Sequence, residues 1–103
     1  MIKDESKIEI ASYRLTEGTD EEEFLKAVDA VLGDLKTRNS TVGWRLYKGD
    51  DGLRVDIVSS PDWDKTSEEF KEVLSLPNAQ RMYAMIDRST LKYDTITLER
   101  TYP

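Results

Sequence analysis

Gly43-Trp44-Arg45-Leu46-Tyr47-Lys48, then Gly49-Asp50-Asp51-Gly52, then Leu53-Arg54-Val55-Asp56-Ile57-Val58-Ser59-Ser60 is the run of residues on which the fold turns. Two alternating segments rich in β-branched and aromatic side chains flank a cluster of two glycines and two aspartates. Such residues tolerate the positive φ of a tight turn, so the run reads as a β-hairpin with a second strand from Gly43 and a third over Val55–Ser60. A tip centred on Asp50-Asp51 or on Asp51-Gly52 places Trp44 and Leu46 on one face with Val55 and Ile57. Arg45 and Tyr47 then share the other face with Asp56 and Val58.

Helical patterns bracket this hairpin. Upstream, Thr19 with Glu22 and Asp20 with Glu23 have capping-box spacing. Phe24, Val28, Val31 and Leu35, with Leu25 and Leu32 alongside, recur as one apolar stripe. The acidic run Glu17, Asp20, Glu21, Glu22, Glu23 is read as a helix entry favoured by the macrodipole, not as a metal site. Ile8–Leu15 before it is a first strand, apolar on both parities. Downstream, Ser60-Pro61-Asp62 ends the hairpin, and Asp64, Thr66 or Ser67 can cap a helix carrying Phe70, Val73 and Leu74. Pro77 breaks that helix and starts a shorter one running to about Ile86, with Met82 and Met85 flanking Tyr83 as core filler. Leu91–Tyr102 is the last strand, where a change of parity predicts a bulge near Asp94 or an edge exposed on both faces. Gly33, in mid-helix, predicts close approach of helix to sheet. The order β-α-β-β-α-β is the α+β, ferredoxin-like arrangement: an antiparallel four-stranded sheet with both helices on one face, spanning 1–103 as a single domain.

That arrangement leaves one sheet face bare, although every strand carries apolar residues on both parities. Contiguous exposed apolar surface of that kind marks an interface, and two-fold dimers are the commonest way to close one. A homodimer is therefore the expected assembly, against a monomer whose open face is kept wet by Arg14, Arg45, Arg54, Asp56, Lys92 and Arg100.

Composition narrows the chemistry. The 103 residues include 15 basic and 21 acidic side chains, a net charge of −6, with no histidine and no cysteine. Thiolate zinc sites, iron–sulfur clusters, disulfides and cysteine nucleophiles are excluded, and the commonest general base and metal ligand is missing. The acidic balance argues against nucleic acid and anionic membranes as partners. The beginning of the chain has no signal-like apolar run and no stretch has the length of a membrane span, so a cytoplasmic location is expected. There is no phosphate loop and no metal-ligand spacing, so neither cofactor nor metal is expected.

Asp56 is the first candidate for chemistry. A carboxylate between Val55 and Ile57-Val58 sits in a place where burial raises its pKa and makes it a usable base; an ion pair with Arg45, Arg14 or Arg100 is the plainer alternative. Tyr13, Trp44, Trp63, Tyr83 and Tyr93 are candidates to line a pocket for a flat aromatic ligand, although aromatic side chains are also ordinary core material.

The runs Ile8–Phe24, Gly43-Trp44-Arg45 and Asp51–Val58 together resemble the antibiotic-biosynthesis-monooxygenase-like group of dimeric α/β-barrel proteins. The resemblance covers nearly the whole chain and lies in strand, turn and helix-entry patterns. It implies a homodimer whose two sheets form a barrel, with a pocket between sheet and helices in each subunit. Some members oxidise aromatic polyketides without a cofactor, others degrade haem, and many have no known activity. Tyr13 stands where the haem-degrading pattern has asparagine, and no histidine exists to hold an iron. Ser60-Pro61-Asp62 replaces the Trp-x-Ser that often closes the third strand, with Trp63 displaced onto the helix entry. Tyr93 falls where aspartate-bearing members place a histidine, which makes Asp56 and Tyr93 the catalytic candidates. The expectation is a small homodimer that binds an apolar or aromatic molecule between sheet and helices. The alternative is a cofactor-independent monooxygenase-like enzyme acting on an aromatic substrate.

Overall fold

A computed structural model describes residues 7–38 and 42–103. Its elements run β1 (Lys7–Leu15), α1 (Glu21–Lys36), β2 (Gly43–Lys48), β3 (Arg54–Ser59), α2 (Trp63–Leu74), α3 (Pro77–Ala84) and β4 (Ile86–Thr97). The strands form one antiparallel sheet in the order β2-β3-β1-β4, the ferredoxin-like order. The sheet is open, and the helices pack on one of its faces. The candidate connection over Lys36–Val42 falls partly outside the described residues.

Asp20 is the cap of α1: its carboxylate accepts from the backbone N–H groups of Glu22 at 2.8 Å and Glu23 at 3.1 Å. A side-chain cap of this kind contributes about 1 kcal/mol by satisfying donors that the helix cannot. Phe24, Ala27, Val28, Val31 and Leu35 are buried against the sheet, whereas Leu25 is exposed and only Leu32 flanks the core. Gly33 is exposed with no atom close enough to touch an added Cβ among the described residues, so close helix–sheet approach does not explain it. Asp62, rather than a later residue, caps α2. The chain leaves α3 at Ala84, and Ile86 is already the first residue of β4.

The hairpin register differs from the expectation. Trp44 lies opposite Val58 and Leu46 opposite Asp56, with Lys48 and Arg54 as the pair beside the turn. The Gly52 N–H donates to the Gly49 carbonyl at 3.0 Å and the Gly49 N–H to the Leu53 carbonyl at 2.7 Å, while Gly52 takes φ +89°. This is a three-residue connection, a type I turn followed by a left-handed glycine. An odd number of turn residues inverts the parity that a two-residue tip implies, so Trp44, Leu46, Asp56 and Val58 share one face.

That face is the helix side. Glu9, Ala11 and Tyr13 of β1 lie opposite Val58, Asp56 and Arg54. The other face carries Ile8, Ile10, Tyr47, Val55, Ile57 and Ile96, and no element among the described residues covers it. Tyr47 and Ile96 are exposed there and the other four are half-buried.

The irregularity in β4 is large and lies earlier than Asp94. Ser12 pairs with Lys92, whereas Arg14 pairs with Asp87, so Tyr13 alone opposes residues 88–91. The bulged segment is tied down internally. The Asp87 carboxylate accepts from the N–H of Ser89 at 3.1 Å and its hydroxyl at 2.7 Å. The Thr90 hydroxyl donates to the Asp87 carbonyl at 2.6 Å and accepts from the Arg14 N–H at 2.9 Å.

Candidate functional site

Between the helices and the sheet lies a cavity in two parts. An inner recess of about 50 Å³ is walled by Tyr13, Trp44, Asp56 and Val58 from the strands and by Val31 and Met82 from the helices. An outer groove of about 540 Å³ is bounded by Ser67, Phe70, Lys71 and Leu74 of α2, Gln80 and Tyr83 of α3, and Arg88, Leu91 and Tyr93 of β4. Glu9, Ala11, Phe70, Leu74, Tyr83 and Leu91 line both, so the groove is the mouth and the recess its floor. The groove has the size and mainly apolar lining of a small-molecule site.

Asp56 is 8% exposed, and its two carboxylate oxygens accept from the Tyr13 hydroxyl at 3.2 and 3.1 Å. Burial drives its pKa up to about 6, opposed by the dipoles of Trp44 and Tyr13. The Trp44 indole N–H, itself buried, faces this carboxylate and, among the described residues, reaches no acceptor at close hydrogen-bonding geometry. The carboxylate at the recess wall is therefore held by the Tyr13 phenol and faced by the Trp44 indole, both of which favour its ionised form.

Among the described residues, Asp56 pairs with no cation, neither Arg45, Arg14 nor Arg100. Arg45 sits on the opposite face of the sheet, a direct result of the three-residue turn. Arg14 instead holds Asp51, its guanidinium donating to the carboxylate at 2.7 Å and to the carbonyl at 2.9 Å. That bond, the Leu53 N–H and the Arg14 charge keep the Asp51 carboxyl below its usual range. Arg54, on the helix side, donates to Glu21 at 2.7 Å and to the Gly52 carbonyl at 2.8 Å. Glu21 also takes Lys48 at 2.6 Å, so part of the acidic helix entry serves to tie α1 to the hairpin.

Of the residues singled out from sequence, Tyr13, Trp44, Asp56 and Tyr83 converge on the recess. Tyr13 is 1% exposed and its ring meets Phe24 edge-on, centroids 6.1 Å apart. Burial, then the charge of Asp56, pushes the Tyr13 hydroxyl well above the ordinary phenol range, so it acts as a fixed donor. Trp44 packs on Phe70 with centroids 6.1 Å apart. Tyr83 lines both recess and groove, its hydroxyl also pushed up by burial and by Glu9 and Asp56. Tyr93 is 72% exposed on the rim of the groove, away from the recess. Trp63, the first residue of α2, packs against the core and lines neither part of the cavity.

Glu9 was not anticipated. It lines recess and groove, and burial followed by the nearby Asp56 charge raises its pKa. Its place opposite Val58 could have been found from the correct hairpin parity, because an acidic residue on the helix side of a first strand is out of place in a core.

No protein-family model matches the chain, and neither does any curated protein sequence. Solved structures do. SnoaB, a cofactor-independent oxygenase from Streptomyces nogalater, superposes with a TM-score of 0.69 at 17% identity, over 94% of this chain and 96% of that one. A NIPSNAP family protein of unknown function from Agrobacterium tumefaciens gives 0.64 at 19% identity, over 94% and 91%. A dimeric ferredoxin-like protein from an uncultured marine organism gives 0.69 at 9% identity, over 98% and 94%. These likenesses span the whole fold, and the chain shares with them the ferredoxin-like architecture of the group that its sequence resembles.

Proposed function

We propose that the groove and recess hold a small aromatic molecule, with an ionisable hydroxyl directed inward toward Asp56. The observation that carries this is the Asp56 carboxylate on the wall of an apolar recess, bonded to the Tyr13 hydroxyl and, among the described residues, paired with no cation. With a pKa of about 6 it is mostly ionised at pH 7 yet more basic than an ordinary aspartate, the compromise that a general base needs. Trp44 and Phe70 offer flat apolar walls to a ring. Following the Asp56 carboxyl carbon by NMR should give a midpoint near 6, displaced when a naphthol is added. A midpoint at or below the ordinary value of about 3.9 would remove the base.

The same carboxylate favours turnover as a second reading: cofactor-independent oxygenation of an electron-rich phenol. Asp56 takes the hydroxyl proton, and the phenolate passes an electron to dioxygen. The pair recombines at a ring carbon, and the resulting peroxide loses water to leave a quinone. One oxygen atom enters the product and the other leaves as water with the two substrate hydrogens. Dioxygen uptake that depends on Asp56 supports this reading; binding without uptake leaves the protein a carrier.

We further propose that the bare sheet face, with Ile8, Ile10, Val55 and Ile57, is closed by a second copy of the chain. One of the superposed structures is itself described as dimeric. Light scattering should give close to twice the 11.9 kDa chain mass, with Ile10→Asp shifting it to one. A single species at the chain mass for the unaltered protein would sink the dimer.

A further inference from the structure

Among the described residues, five cations tie one part of the fold to another through carboxylates: Arg14 to Asp51, Arg38 to Glu72, Lys48 and Arg54 to Glu21, Arg81 to Glu23. Arg88 enters no ion pair there. Its guanidinium stands 5.9 Å from the centre of the Tyr83 ring, at the edge of the outer groove. Lys71 lines the groove from α2, and its one ion pair, with Glu68 at 3.4 Å, joins two side chains that are each 73% exposed. Exposed pairs of that type hold a lysine weakly. Two available cations therefore stand at the mouth of a cavity in a chain whose net charge is −6.

The backbone that carries Arg88 is built to present it. Bulges re-aim side chains, and residues 88–91 leave the ladder while Asp87, Ser89, Thr90 and the Arg14 N–H hold them in a fixed shape. Arg88 and Leu91 from this segment both reach the groove. The polarity along the cavity is thus ordered: Asp56 and Tyr13 on the recess wall, Glu9 and Tyr83 in both parts, Arg88 and Lys71 outside. Glu9 and Asp56 disfavour a negative group placed deep, while a guanidinium fork suits a carboxylate at the surface.

We infer that the ligand is an aromatic carboxylate, its ring between Phe70 and Leu91, its hydroxyl inward and its carboxylate on Arg88, with Lys71 adding charge from the far side. This rests on the reading of the cavity as an aromatic site and specifies which aromatic molecules it selects. The probes are a naphthol and a hydroxynaphthoate with its carboxylate at the far end of the ring from the hydroxyl, each titrated by fluorescence. The unaltered protein should bind the hydroxynaphthoate about tenfold or more tightly than the naphthol, the scale of a charge-assisted bond at a partly exposed site. Added salt should shrink that preference. Arg88→Gln should bring the ratio of the two affinities close to one, and Arg88→Lys should restore part of it. A bound naphthol with no preference for the carboxylate overturns this inference and leaves the cavity reading standing. If neither probe binds, both fall.

Discussion

Replacing Asp56 by asparagine is expected to make the protein more stable at pH 7, by about 3 kcal/mol, while removing the ionisable carboxyl from the recess. Burial favours the protonated carboxyl, so the folded protein keeps this proton up to about pH 6, whereas an unfolded aspartate releases it near 3.8. The folded state thus binds more protons than the unfolded one throughout that window, and stability falls as pH rises through it. The full contribution is present below the unfolded value, and above pH 6 it has been lost. Asparagine is neutral at every pH and its carbonyl can still accept from Tyr13. The two proteins should therefore match near pH 3 and diverge toward pH 7, where the variant gains on the order of 10 °C or more in Tm. Thermal unfolding at several pH values and one fixed protein concentration reads this directly. A difference that does not change with pH, or an asparagine variant weaker at pH 7, would show that the carboxyl is not held in a desolvated place. A gain in stability on removing the carboxyl is the pattern of a side chain kept for something other than stability.

Phe24→Ala should cost about 3–5 kcal/mol, the usual range for an aromatic residue deleted from a packed interior. Phe24 is fully buried, the first inward residue of α1, and its ring is the edge-on neighbour of Tyr13. Against a total stability of roughly 5–15 kcal/mol, that loss leaves a marginal protein. Its effect also reaches the site, because Tyr13 loses the neighbour that fixes its ring while holding Asp56. Urea unfolding should show a lower midpoint at unchanged slope, and the Asp56 titration should shift. A loss below about 1 kcal/mol would mean that α1 does not seat on the sheet in this way. Leu25→Ala, at an exposed position of the same helix, serves as the comparison and should change little.

The order of elements was legible because each signal was local. Capping oxygens, a 3.6-residue apolar repeat, a Gly-Asp cluster and Pro77 each act within a few residues, and each marked an element that forms. Where the reading slipped, the deciding contact was more distant or depended on one residue's conformation. Gly52 in the left-handed region adds one residue to the turn and reverses the faces of β3 relative to β2. Asp56 thereby moves from a face shared with Arg45 to one shared with Trp44 and Tyr13. Asp56 itself could be chosen from sequence, since a carboxylate within an apolar strand is conspicuous wherever it points. Its partner could not, because Tyr13 is 43 residues away and reaches it only through the pairing of β1 with β3. Likewise the start of β4 at Ile86 is dictated by pairing with Leu15, and its bulge by what Arg14 and Tyr13 do on the neighbouring strand. Arg88 was invisible as a groove residue for the same reason.

The four residues that step out of β4 lie at the border of the sheet, with regular pairing resuming on both sides of them. Insertions or deletions there change the lip of the cavity without sliding any strand past its neighbour. Lengthening or trimming this one short segment can therefore reshape the entrance to the recess while the contact between Asp56 and Tyr13 inside it stays in place.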